Sequence, residues 1–166
     1  MLTLHAPILE TRRLHWHGEA DCQAWAEQLA ARPELRDAFI SLQGPLGAGK
    51  TTLVRHLLRA LGVAGRIKSP TYAVLEPHQV GDLAISHFDF YRFNDPREWL
   101  DAGFRDLFAQ PGLKLAEWPE KAEGMLPQPD LAIILQPGHV DDADAGEDSR
   151  RVTLCASTVV GRALLA

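Results

Sequence analysis

Cysteine is scarce in this chain. Cys22 and Cys155 are far apart and have no metal-ligand spacing around them, so both read as buried or idle thiols in a reducing compartment. Long apolar runs are lacking too. None approaches the roughly 20 residues needed to cross a bilayer. The N-terminus has neither the basic start nor the continuous apolar core of a secretory signal. No membrane partner is expected, and the cytoplasm is the expected location. Positive charge is not in excess: 17 Lys and Arg stand against 22 Asp and Glu, a formal net charge of −5. That balance gives no electrostatic footprint for gripping nucleic acid directly, so any contact with RNA would run through a partner protein. There is no internal repeat and no low-complexity tract.

What remains is an ordinary globular composition, 46% hydrophobic and 23% charged over 166 residues, which suits a single domain spanning 1–166. One stretch organises it. Gly44, Pro45, Leu46, Gly47, Ala48, Gly49, Lys50, Thr51 and Thr52 fit G-x-x-x-x-G-K-[ST], the phosphate-binding P-loop. The glycines allow a tight turn and let N–H groups approach phosphates where a Cβ would intrude. Lys50 is expected to reach the β- and γ-phosphates, and the Thr51 hydroxyl to hold Mg²⁺. The flanks agree with this. Residues 39–43 form a short apolar, partly β-branched strand, and Leu53, Val54, Leu57, Leu58 and Leu61 recur at helical spacing before Gly62. A helix N-terminus at the loop adds its positive dipole end to the phosphate site.

The other elements follow from pattern. A strand is expected near 12–16 and a helix over 19–31, which Pro33 ends and Asp21 either caps or leaves exposed. His15-Trp16-His17 lacks a third nearby ligand and reads as a strand face or wet surface. Ser69-Pro70-Thr71 turns into a strand-like run to Leu75; its Thr71 suits a nucleotide-sensing switch or an ordinary turn equally well. Leu83 to Asp89 is an apolar strand ending in a carboxylate, as a Walker-B position requires, and Arg92 follows as a phosphate or ion-pair candidate. Asn94 to Glu98 looks like a capped helix start with Pro96 in its first turn, and Trp99, Leu100, Phe104, Leu107 and Phe108 supply short helices interrupted by Gly103. Leu113 to Glu117 is another strand ending in an acid, followed by Trp118, which either covers the ligand or fills a core gap. Strands over 130–136 and 151–155 would pair as a hairpin around the acidic, apolar-poor stretch 141–148, read as a solvated loop.

Taken in order, GPLGAGKTT at 44–52, SPT at 69–71, H-x-D-x-Y-R from His87 to Arg92 and EWPE at 117–120 resemble the TsaE family, formerly YjeE. That family comprises small bacterial ATPases of tRNA threonylcarbamoyladenosine synthesis. The match runs from Asp21 to Glu120 and continues to Arg151. The resemblance implies an α/β P-loop NTPase fold, with a mainly parallel central sheet flanked by helices and an antiparallel addition. It implies ATP and Mg²⁺ as cofactors, and TsaD-like and TsaB-like proteins as partners. The TsaD protein transfers the threonylcarbamoyl group to the adenosine beside the anticodon, and ATP hydrolysis resets the complex; tRNA is met only through that complex. Carried over by motif, Lys50 binds phosphate, Thr51 and Glu117 go with Mg²⁺, and Asp89 is the Walker-B-like acid. Thr71 takes the switch position and Trp118 lies beside the nucleotide. Two departures stand out: Pro45 occupies the place of a usual Asp and removes an N–H, and Ala116 replaces a larger aliphatic residue.

The resulting expectation is in-line attack of water on the γ-phosphate, with Lys50 and Mg²⁺ neutralising charge while Asp89 and Glu117 orient the metal and the water. Which acid serves the water is open at this level. Two other classes compete. A P-loop small-molecule kinase would need an arginine-bearing lid, and no Arg-rich segment follows the loop helix. A non-catalytic nucleotide sensor sits poorly with two acids and Thr71. No N-K-x-D motif for reading guanine is present.

Overall fold

The computed structural model describes residues 7–67, 70, 74–93, 95, 97, 103–138 and 146–166. Thr71, Ser69, Glu98, Trp99 and Leu100 lie outside them, as do Asn94 and Pro96 of the expected helix start and most of the acidic stretch 141–148.

Seven strands build one sheet: β1 (Glu10–Trp16), β2 (Phe39–Gln43), β3 (Leu75–Val80), β4 (Leu83–Asp89), β5 (Leu113–Glu117), β6 (Leu131–Pro137) and β7 (Arg150–Ala156). Their order is β1-β7-β6-β2-β5-β4-β3. The middle strands β6, β2, β5 and β4 run parallel, while β7 and β1 on one flank and β3 on the other are antiparallel to their neighbours. The expected parallel centre with an antiparallel addition is found, and the addition lies on both flanks, so that parallel and antiparallel pairings are balanced. On the β3 flank the cause is local: Gly81, at φ 59°, and Asp82 form a two-residue hairpin loop.

Burial follows position in the sheet. In central β5 every residue is buried, the signature of a strand covered on both faces, whereas edge strand β1 exposes Thr11, Arg12 and Arg13. Among the described residues the helices of at least six residues are α1 (Glu19–Ala30), α2 (Lys50–Leu61), α3 (Phe104–Ala109) and α4 (Val159–Leu165), with short 3-10 turns at Pro33–Asp37 and Pro119–Ala122. Helix α2 buries Leu53, Val54, Leu57 and Leu58 and stops at Gly62 in the left-handed region, where Val63 N–H bonds Leu58 O and Gly62 N–H bonds Arg59 O. Asp21 does not cap α1; Gly18 holds that position, and the Asp21 carboxylate reaches back to the His17 N–H at 2.8 Å.

Strand alternation sorts the core into two faces. Ile40, Leu42, Ile85, Leu113 and Leu115 join the cluster with α1 and α2. Phe39, Phe88 and Ala116 point the other way, into an aromatic cluster where the Phe108 ring stands 4.8 Å from both Phe39 and Phe88. The same parity decides where the acids go. Leu42, Glu117 and Asp89 lie side by side across β2, β5 and β4, so both carboxylates emerge on the α2 face at the carboxyl ends of parallel strands.

Candidate functional site

Gly44 to Gly49 links β2 to α2, and its Leu46 to Gly49 part lines a cleft of about 380 Å³. Its glycines serve different ends. Gly44, at φ 153°, could not carry a side chain, since a Cβ there would stand 2.4 Å from the Leu135 carbonyl of β6. The neighbouring strand therefore requires glycine at this position. Gly49 takes φ 104° as the residue before α2, and Gly47 takes φ 81° at an open position.

Lys50 is the first residue of α2 and is buried. Its Nζ bonds the Gly44 and Pro45 carbonyls of its own loop and sits 4.1 Å from the Trp118 ring centroid. Burial lowers its pKa, against the opposing fields of Glu117, Glu120 and Asp89. A desolvated cation held by neutral carbonyls at a cleft wall is poised to gain from an anionic ligand.

One residue on, Thr51 donates its hydroxyl to Glu117 Oε1 at 2.8 Å, joining α2 to the end of β5. Glu117 is only 1% exposed, and its other oxygen lies 2.6 Å from Nε2 of His87, which is fully buried on β4. Asp89, two residues beyond His87 on the same strand face, lines the cleft and accepts the Tyr91 N–H at 3.0 Å. Trp118 turns the chain out of β5 with φ 56°, the single positive φ outside glycine among the described residues. That turn carries its ring over Lys50 and to 5.0 Å from Tyr91, so Trp118 borders the cleft.

The structure thus gathers the expected Gly47, Ala48, Gly49, Lys50, Thr51, Thr52, Asp89, Glu117 and Trp118 around one cleft, with Leu46 and Arg92 also at its wall. Gly44 and Pro45 stand behind this wall as acceptors for Lys50. Thr71 lies outside the described residues, next to the lining residue Pro70. His15 and His17 are exposed, their rings edge to face at 4.5 Å.

Residues 16–145 match the family model described as threonylcarbamoyl adenosine biosynthesis protein TsaE. The chain belongs to the TsaE family. It is 39% identical over 127 residues to the tRNA threonylcarbamoyladenosine biosynthesis protein TsaE of Haemophilus influenzae, covering 76% of this chain and 75% of that one. To the protein of the same name from Bacillus subtilis it is 33% identical over 147 residues, covering 87% of each. The crystal structure of Bacillus subtilis YdiB superposes with a TM-score of 0.75 at 25% identity, covering 94% of this chain and 92% of that one. The TsaE family is one of tRNA threonylcarbamoyladenosine biosynthesis.

Two residues at the site receive no role from the motifs. His87 was visible as part of H-x-D-x-Y-R, and its spacing of two from Asp89 places both on one strand face, but nothing in the sequence pairs it with Glu117. Arg150, at the start of β7, donates to loop carbonyls from the far side of the fold, and only the sheet order brings it there.

Proposed function

We propose that this chain is a single-domain, Mg²⁺-dependent P-loop ATPase of the cytoplasm that drives or resets a TsaD–TsaB-like complex making threonylcarbamoyladenosine in tRNA next to the anticodon. The observation that carries the reading is the 2.8 Å bond between Thr51 and Glu117 beside Lys50 at the helix N-terminus. Two hard oxygen groups from separate elements meet at the cleft wall, which suits a small divalent cation that completes its shell with phosphate and water. The strand–glycine loop–helix geometry supports the P-loop NTPase fold, and the family supports the role in tRNA modification. A net charge of −5 supports meeting tRNA only through the partner proteins.

In this reading Lys50 exchanges its loop carbonyls for the β- and γ-phosphate oxygens of ATP, and loop N–H groups bind the phosphates alongside it. Thr51 and Glu117 would hold Mg²⁺, which would supply neutralisation of the charge that develops on the phosphates. Glu117 is assigned to the metal in this reading because its carboxylate adjoins the Thr51 hydroxyl, with His87 holding its other oxygen. Asp89, in register with it one strand over, orients the attacking water. Water adds in line to the γ-phosphorus while the bond to the β–γ bridging oxygen breaks, releasing ADP and phosphate. Trp118 and Tyr91 give the cleft an aromatic rim.

The test is Mg²⁺-dependent ATP hydrolysis by the chain alone and with a TsaD–TsaB pair from the same source. A large rise in the mixture is expected. An unchanged rate with no complex formed would remove the partner-driven role, and γ-phosphate transfer to a small-molecule acceptor would favour a kinase instead.

A further inference from the structure

A smaller hollow of about 120 Å³ lies on the other side of the glycine loop, lined in part by Ala48, Gly49, Cys22 and Arg150. Arg150 fills its guanidinium with main-chain acceptors. Nε donates to Ala48 O at 2.8 Å and Nη2 to Gly47 O at 3.3 Å, while Nη1 donates to Glu147 O at 2.9 Å and Ser149 O at 2.8 Å. A guanidinium presents its donors as a rigid planar fork, the shape required to hold two successive loop carbonyls at once. Peptide units are planar, and all described ones here are trans, so each N–H points opposite to the C=O of its own unit. Drawing the Ala48 carbonyl back toward β7 therefore turns the Gly49 N–H toward the cleft, which Gly49 also lines. The Ala48 N–H, in the preceding unit, closes the turn on Pro45 O at 3.0 Å.

We infer that Arg150 is a positioning residue for the loop: it fixes the Ala48–Gly49 peptide unit so that the Gly49 N–H faces an anionic ligand, without touching that ligand. The inference rests on the reading of the cleft as a phosphate site. Arg150 lies beyond the residues 16–145 that match the family model. Because the same guanidinium holds Glu147 and Ser149, the shape of the cradle is set jointly by the loop and by the chain entering β7.

The deciding experiment is calorimetric titration of ADP into the full chain and into Arg150→Ala, Arg150→Lys and Lys50→Ala. Arg150→Ala should bind ADP about tenfold more weakly, the scale of one charge-assisted hydrogen bond, with a melting temperature near that of the parent. Dilute guanidinium should restore most of the affinity, and equal sodium chloride should not. Arg150→Lys should recover little, because an ammonium lacks the fork. Weakened binding that guanidinium does not rescue would overturn the inference. Parent-like affinity in Arg150→Ala, with binding lost in Lys50→Ala, would also overturn it while leaving the phosphate-site reading intact. Parent-like affinity in both would remove the two together. Should Arg150→Ala not fold, amide NMR of the unaltered chain decides: the Gly49 N–H resonance should shift strongly on adding ADP, and a Gly49 resonance that stays in place overturns the inference.

Discussion

Glu117 shows how much of this site rests on one buried side chain. A carboxylate with 1% exposure needs its lone pairs occupied, and here Thr51 Oγ1 serves one oxygen and His87 Nε2 the other. His87→Leu removes the second partner and leaves a buried acceptor short of a donor, a cost of about 1–3 kcal/mol. For a chain of this size each kcal/mol lowers the melting midpoint by about 2–4 °C. His87→Gln keeps an N–H donor at similar reach, so its midpoint should fall less; equal losses for the two variants in a thermal melt would show that the bond to Glu117 contributes nothing. Cys22 offers a second check at this scale. Burial first, and then Glu19, push its thiol up from 9.0 to about 12, with Arg150 pulling weakly the other way. A raised folded pKa contributes stability that is fully present below pH 9.0 and is lost as the pH rises through about 12. Since the thiolate is the nucleophile, Cys22 should resist alkylation at mildly alkaline pH in the native chain and react readily once urea unfolds it, as followed by mass spectrometry.

Elements were legible where one signal dominated. Strands β2, β4, β5, β6 and β7 each carry a compact apolar run, and the Leu53 to Leu61 spacing in α2 ends at a glycine that takes φ 104°. Strand β3 was legible only at its start, because Glu76, Pro77, His78 and Gln79 are polar or ring-locked. Proline is tolerated there because β3 is the sheet's outer strand and Pro77 is exposed on it. Helix α4 was not anticipated, and its reason is tertiary. Asp130 accepts the Phe39 N–H at 2.7 Å through Oδ2 and the Thr158 hydroxyl at 2.6 Å through Oδ1, while Thr158 caps Gly161 N–H at 3.0 Å. Helix and sheet meet so closely that a Cβ on Gly161 would stand 1.9 Å from Asp130 O. Asp130→Ala deletes both side-chain bonds at the start of β6 and should cost about 3 kcal/mol, the scale of two hydrogen bonds to a carboxylate. Chemical denaturation of the two proteins measures it; a difference below about 0.5 kcal/mol, the range of ordinary surface substitutions, would mean the latch is incidental.

At the scale of the whole molecule, the site is a junction of elements that the sheet order alone brings together. The motif spelling pointed to Lys50, Thr51, Asp89 and Glu117 as members of one site, and strand parity at Leu42, Glu117 and Asp89 explains why they converge. Arg150 could not be foreseen, because β7 reaches the glycine loop only through the order β7-β6-β2. A ligand bound at such a junction ties β2, α2, β4 and β5 together, and it binds only where they are assembled. Nucleotide should therefore stabilise the folded chain by mass action, by about 2.7 kcal/mol at a free concentration one hundred times Kd. At about 2–4 °C per kcal/mol, this amounts to a rise of roughly 5–11 °C in the melting midpoint. Lys50→Ala should abolish both the rise and measurable ATP hydrolysis. It should not collapse the fold itself, since Lys50 makes no ion pair among the described residues and its charge is desolvated there. A nucleotide-induced rise that survives intact in Lys50→Ala would place the binding energy elsewhere on the molecule and separate the cleft from the ligand.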